Sequence, residues 1–230
     1  MKRLLPIAAL LIGACLTPSE GVNDISLSFD LNQVTDGWDH GAADFPTARQ
    51  AELNVIGELR ALPDPFEPAV RGQYLAGTNV SGNLFMYTKR YFSGLRPNLT
   101  YRVTIQVQFI SNYHPTCTTG PGRTTFLKAG VSPVDLISTE NASGIQTMNI
   151  NKGSATTEGD FVVLSDITND NLNCPATGTF NALLTGARIQ PTNITTDENG
   201  GFTLWLGTQT TYLGRHEIYF TAMLVTLRPV

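Results

Sequence analysis

The chain has 230 residues, of which 41% are hydrophobic and only 15% charged, with 21 Gly and 13 Pro. Average soluble domains carry about 25% charged residues. The shortfall is made up by Thr, Asn and Gly, which suit short strands joined by polar turns and exclude a long-helix bundle rich in Glu, Lys, Ala and Leu. A formal net charge of −4 excludes a basic nucleic-acid footprint, and the apolar fraction excludes wholesale disorder. At the N-terminus, Met1-Lys2-Arg3 places two positive charges before the short apolar run Leu4–Ala14, the pattern of a secretory signal peptide. That run falls short of the roughly 20 apolar residues a bilayer span requires, and no later stretch reaches that length without polar interruption.

Ile12-Gly13-Ala14-Cys15 resembles the bacterial lipobox, in which an aliphatic residue and two small residues precede a cysteine. The resemblance implies cleavage before Cys15 and lipidation of its thiol, the alternative being an ordinary signal peptide with an incidental cysteine. Residues 1–14 are then the signal peptide, 15–22 a linker of polar composition, and 23–230 a single domain. Acyl chains on Cys15 would make a membrane the partner, at about 0.8 kcal/mol per buried methylene. Leu16 follows, not Asp, which by resemblance to lipoprotein sorting favours the outer membrane where the organism has one. Cleavage removes Lys2 and Arg3, leaving 13 basic against 19 acidic residues, a net charge of −6. A surface of that sign is repelled by anionic headgroups, so the anchor is the acyl chains and not the protein surface. The remaining Cys117 and Cys174, an even pair in an exported chain, are expected to form a disulfide across turn-rich segments, the alternative being two unpaired thiols. Neither has an adjacent His or a helix start to activate it.

The body reads as strands. Ile25–Leu31 alternates apolar and polar residues, and Tyr101–Phe109 does so more clearly, with odd positions apolar. Ile218–Leu227 is apolar on both faces and reads as a central strand. Further candidates are Asn83–Tyr91, Thr125–Val131, Ile145–Asn149, Phe161–Leu164 and Phe202–Leu206, separated by turn signals such as Gly94-Leu95-Arg96-Pro97-Asn98 and Asn199-Gly200-Gly201. One short helix is expected near Thr47–Leu53, and large loops near 60–80 and 110–125. The pattern predicts an all-β antiparallel β-sandwich or jelly roll with long loops and at most one or two short helices.

Asp36-Gly37-Trp38-Asp39-His40-Gly41-Ala42-Ala43-Asp44 concentrates carboxylates, an imidazole and an indole in one Gly-containing stretch. It admits a hard-cation site, with a structural calcium as the cofactor; an acid–base pair of Asp44 with His40; or a turn whose Asp side chains cap backbone amides while Trp38 covers the core edge. No metal ligand set is assigned, since the spacing matches no EF-hand loop, and the three histidines form neither an HxH nor an HExxH pattern. No G-x-S-x-G elbow or Walker loop is present, and no catalytic residue is assigned. Aromatics that could stack on sugar rings are Trp38, Tyr87, Tyr113 and Trp205, the last as well placed for the core as for a platform.

Gly37-Trp38-x-x-Gly41-x-Ala43-Asp44-Phe45-Pro46, Leu84-Phe85-Met86-x-x-Lys89-Arg90 and Gly94-Leu95-x-Pro97-Asn98-x-x-Tyr101 resemble, in that order, blocks of a group of uncharacterised secreted bacterial proteins. The last block is also similar to a turn of galactose-binding-like and carbohydrate-binding-module jelly rolls. The resemblance implies that fold and marks Asp44, Lys89 and Arg90 as polar positions of interest; it carries over no catalytic residue. The ligand-binding candidates are thus Trp38, Asp39, Asp44, Tyr87, Lys89, Arg90 and Tyr113. The leading expectation is an extracytoplasmic lipoprotein whose sandwich binds a glycan or envelope partner without turning it over. An envelope-polymer hydrolase using Asp39, His40 and Asp44, and a purely structural envelope lipoprotein, are the alternatives. No nucleic acid partner is expected.

Overall fold

A computed structural model describes residues 23–31, 37–115, 120–169 and 179–230. Cys15, Cys117 and Cys174, and with them the lipidation and disulfide expectations, lie outside the described residues, as does Asp36.

The alternation at Tyr101–Phe109 becomes strand β7 (Thr100–Ser111), whose odd residues Tyr101, Val103, Ile105, Val107 and Phe109 all enter the core. Beside it runs β16 (Gly214–Pro229), the long strand apolar on both faces. Its first half pairs with β5 (Arg71–Asn79), which in turn pairs with β4 (Ile56–Ala61). A register irregularity at Thr221 divides β16, and from Ala222 onward its neighbour is β1 (Ile25–Asp30). Such a bulge bends a strand and ends one pairing so that another begins. The short strands β12 (Asn181–Leu184), β13 (Arg188–Ile189) and β14 (Ile194–Thr195) line the other edge of β7. Together these strands make the large sheet, antiparallel throughout.

A small antiparallel sheet faces it, in the order β11 (Val162–Asp166), β8 (Thr125–Ser132), β15 (Phe202–Thr210), β6 (Leu84–Phe92) and β2 (Asp39–Ala43). Its inward residues Leu127, Ala129, Val131, Leu204, Leu206, Leu84 and Met86 meet the inward residues of β7 and β16 in one core. Two antiparallel sheets closed on a shared core make the expected β-sandwich. Each fully buried aliphatic or aromatic side chain there contributes about 1.5–3 kcal/mol. The helical content among the described residues is two short 3-10 turns, Thr47–Glu52 and Gly122–Thr124.

One expectation fails. The stretch 60–80 is not all loop, since Arg71–Asn79 is β5, near the middle of the large sheet. Gly72, Gln73 and Gly77 interrupt its apolar pattern, yet the strand is covered on both faces, so no alternation reveals it. Leu62, Phe66 and Val70 of the Pro-rich segment before it cover the outer face of the large sheet over Tyr74, Ile110 and Tyr219.

His216 of β16 is fully buried; its Nε2 lies 3.1 Å from Thr208 Oγ1 and its Nδ1 has no hydrogen-bond partner among the described residues. Burial, aided by the charge of Arg215, pushes its pKa down to about 4. An unfolded histidine titrates near 6.5, at about the model-peptide value. Below that pH the unfolded chain takes up a proton that the folded chain refuses. Stability therefore falls as pH drops from about 6.5 to about 4, by up to about 1.4 kcal/mol per pH unit. Urea unfolding across that window is expected to show a shallower pH slope in His216→Gln than in the parent; equal slopes would contradict a neutral buried imidazole.

Candidate functional site

The outer face of the small sheet is apolar at one end and polar at the other. Register places Ala43 opposite Phe85, Gly41 opposite Tyr87, and Asp39 opposite Lys89 on that face. Trp205 lies beside Lys89 and opposite Gly130, and Thr203 lies beside Tyr91. The apolar end needs a cover, and residues 133–161 supply it. Within this roof, β10 (Ile145–Met148) pairs with β9 (Ser138–Glu140) and with β3 (Phe45–Pro46). Leu136, Met148, Ile150 and Phe161 from the roof side close over Ala43, Phe85, Tyr87 and Trp205 in a second core. Phe161 sits over Gly130, where a Cβ would come within 2.2 Å of the ring, and meets Trp205 edge-on at 5.1 Å.

Two buried lysines fasten this roof. Lys128, only 1% exposed, donates to the carbonyl oxygens of Lys152, Ser154 (2.7 Å) and Thr157 (3.1 Å). Burial, followed by the nearby charge of Lys152, pushes its pKa down to about 8. Lys152 in turn donates to Asp44 Oδ2, which also accepts from Gln209 (3.0 Å) and Asn83 (3.3 Å). Asp44 takes a left-handed backbone conformation at φ 65° where the chain leaves β2 for β3.

The roof stops where the face turns polar, and a cavity of about 520 Å³ opens there. Asp39, Lys89, Arg90, Tyr91, Asp135 and Asp197 line it. Lys89 donates to both carboxylate oxygens of Asp135 (2.7 and 2.8 Å) and to the Leu136 carbonyl (2.8 Å), tying the roof's edge to the sheet. Tyr91 is 53% exposed, yet its hydroxyl donates to Asp197 Oδ2 at 2.8 Å. Asp197 Oδ1 accepts the N–H groups of Asn199 (2.8 Å) and Gly201 (2.7 Å). The Gly201 amide and the Tyr91 hydroxyl hold the Asp197 carboxyl below its ordinary pKa, and the same bond raises that of Tyr91. The Tyr91 ring can hold this position only over a glycine, because a Cβ at Gly201 would lie 1.8 Å from the Tyr91 oxygen. Asp39 accepts only the neighbouring His40 N–H (2.8 Å), and Arg90 has no carboxylate partner among the described residues, its guanidinium lying 5.0 Å from the centre of the Phe92 ring.

Of the candidates read from sequence, Asp39, Lys89 and Arg90 come together in this cleft. Trp38 is partly buried and packs edge-on against Phe92, 6.3 Å between centroids. Tyr87 is 4% exposed beneath the roof, where burial and then the charges of Asp39 and Asp135 push its pKa up to about 12. Tyr113 packs on the core, and its oxygen accepts the Glu217 N–H at 3.1 Å. Asp44 is an anchor of the roof. Asp39, His40 and Asp44 thus occupy three surroundings: the cleft, a pocket across β2, and the contact with Lys152. Among the described residues no group of three or more His, Cys, Asp or Glu is placed to hold a metal ion, so the calcium reading of this segment gains no ligand set. Tyr91, Asp135 and Asp197 were not singled out in the sequence; Tyr91 continues the period-two spacing of Lys89, and Asp197 precedes the Gly200-Gly201 turn.

No protein-family model matches the chain, and no curated protein matches it. Among solved structures, the chain is similar to a carbohydrate-binding module of the β-sandwich superfamily, at 10% identity over 87% of this chain and 62% of that one, TM-score 0.38. It is also similar to the K1 cleaved adhesin domain of Lys-gingipain from Porphyromonas gingivalis W83, at 10% identity over 89% of this chain and 98% of that one, TM-score 0.36. A third is the enzymatically active domain of bacteriophage CBA120 tailspike protein 4, at 10% identity over 84% of this chain, TM-score 0.36; this chain spans about a fifth (21%) of its length.

Replacing Lys128 by Met leaves three roof carbonyls without their donor while keeping the side-chain volume. A loss of about 1–3 kcal/mol is expected. Amide exchange should accelerate in residues 152–160 and stay slow in β7 and β16. Uniform acceleration, or none, would show that Lys128 does not hold the roof.

Proposed function

We propose that the chain is a non-catalytic binding module, held outside the cytoplasm by acyl chains on Cys15, and that the cleft beside β6 takes a glycan. The observation that carries the reading is Tyr91: an aromatic ring more than half exposed, yet locked by Asp197 and seated on Gly201. Exposed rings held in one position bind without the entropy cost of ordering them. A sugar ring offers such a platform an apolar face, and its rim of hydroxyls needs donors and acceptors. Asp39 supplies a carboxylate and Arg90 a guanidinium, each without an opposing charged side chain among the described residues. Charged groups of both signs line the cleft, so it has no strong pull on polyanions and suits a neutral polyhydroxylated chain. The separation of Asp39, His40 and Asp44 supports a binding role over a hydrolytic one. The scattered exposed apolar side chains support it over a purely structural one: Leu184, Ile189 and Leu224 on the large sheet alternate with Gln108, Thr104 and Gln106.

Two measurements test the reading. On an array of neutral glycans, the full chain should retain at least one glycan, and Tyr91→Ala should weaken that binding at least about tenfold, equivalent to 1.4 kcal/mol. An array without signal, or a Tyr91→Ala variant that binds as the parent does, would overturn the cleft. For the anchor, mass spectrometry of the protein extracted from membranes should find an acylated Cys15 as the first residue. An intact Met1 without fatty acid would overturn it.

A further inference from the structure

On the opposite side of β2 from the cleft lies a second cavity, of about 580 Å³. Its walls are the β2 edge from His40 to Ala42, the 3-10 turn and its exit from Gln50 to Val55, and the roof residues Ser138 and Gln146. Among the described residues not one Asp, Glu, Lys or Arg lines it. The charged residues of the adjacent turn are engaged elsewhere: Arg49 pairs with Glu52 at 2.6 Å and also donates to the Val80 carbonyl.

The polar groups of this pocket are the amides of Gln50, Asn54 and Gln146, the Ser138 hydroxyl, the His40 imidazole and backbone. Gln146 is fixed at both ends, its Oε1 accepting from Ser138 Oγ (3.2 Å) and its Nε2 donating to Thr47 Oγ1 (3.2 Å). Asn54 is held by a bond from Nδ2 to the Glu52 carbonyl (3.2 Å), which leaves its oxygen open. The Gln50 side chain is exposed and makes no hydrogen bond among the described residues. β2 is the edge strand of its sheet. Peptide groups alternate in direction along a strand. The Asp44 N–H donates to the Gln146 carbonyl on the side away from β6 at 2.7 Å, while the Asp39 carbonyl accepts from the Thr88 hydroxyl of β6. By that alternation the N–H and C=O of Ala42 face away from β6, and neither has a backbone partner among the described residues. The exposed lining is mostly polar, with Phe45 and Leu53 buried beneath it.

The volume lies in the usual range of small-molecule sites, and the polar lining suits a ligand rich in hydrogen-bonding groups. The lack of countercharge decides the class of ligand. An ionised group would give up hydration here and find no Asp, Glu, Lys or Arg in the lining to offset it, a cost that a neutral ligand avoids. Amide groups and a free peptide edge offer paired donors and acceptors, which match adjacent sugar hydroxyls.

We propose that this pocket is a second binding site, for an uncharged sugar unit, recognised by Gln50, Asn54, Gln146 and the free edge of β2. Its class of ligand rests on the glycan reading above, but its residues are separate from those of the cleft. The test is NMR titration of the full chain with D-glucose, D-galactose, D-mannose, N-acetyl-D-glucosamine and their short oligomers. At least one of these should shift the amide signals of Gly41, Ala42, Gln50 and Asn54. Gln50→Ala, which removes no hydrogen bond of the folded chain, should weaken that binding at least about threefold, and Tyr91→Ala should leave it unchanged. Raising the salt from 50 to 500 mM should not alter it, since a neutral ligand feels little screening, a Debye length falling from about 14 to about 4 Å notwithstanding. Shifts confined to Lys89, Tyr91 and Thr203 would leave the cleft standing and overturn this pocket. No shifts in either set would overturn both. Shifts at Ala42 produced only by an unstructured peptide would make the edge a strand-pairing site and overturn the sugar assignment.

Discussion

The small sheet is apolar over its inner face and over one end of its outer face, and the arrangement of the functional surface follows from that constraint. Its inner face is satisfied by the large sheet. Its outer face carries Phe85, Tyr87 and Trp205, which water would cover at a cost of several kcal/mol. The chain therefore returns after β8 and lays residues 133–161 across them. The cover extends as far as the apolar residues do and ends at the row of Asp39 and Lys89. The cleft is thus the step between a roofed and an unroofed part of one sheet face, and its walls are rigid because both parts are strands or are fastened to strands.

The fastening itself is polar, which gives the roof a single position. Apolar contacts alone tolerate sliding, whereas Lys128 must find three carbonyls and Lys152 must find Asp44. A buried ammonium without these acceptors would be strongly destabilising, so the roof is well placed only when all of them are met. Lys89 repeats the device at the margin of the cleft, joining Asp135 and the Leu136 carbonyl to β6. The same side chain is therefore both the hinge pin of the roof's edge and part of the cleft lining.

The sandwich was readable in the sequence where one face of a strand is buried and the other is not. β7 shows clean alternation because Arg102, Thr104, Gln106 and Gln108 point out of the large sheet. β5 escaped because both its faces are covered and its glycines break the apolar run. The same limit governed the site. Tyr87, Lys89 and Tyr91 share one spacing and one face, and nothing local says that a roof from residues 133–161 buries the first and spares the last. Asp39 and Lys89 were visible as chemistry-bearing residues, but their meeting with Asp135 and Asp197 depends on strand pairing across distant parts of the chain. Trp205 reads as well for the core as for a ligand platform until its cover is known.

The most direct measurement of the roofed face is hydroxyl-radical footprinting of the native protein, with oxidation read residue by residue by mass spectrometry. Tyr91 should be oxidised readily, while Tyr87, Phe85 and Trp205 remain protected until the protein unfolds. Oxidation of Trp205 and Tyr87 at rates like that of Tyr91 would mean that the outer face of the small sheet is open, and the account of the cleft as the roof's edge would be wrong.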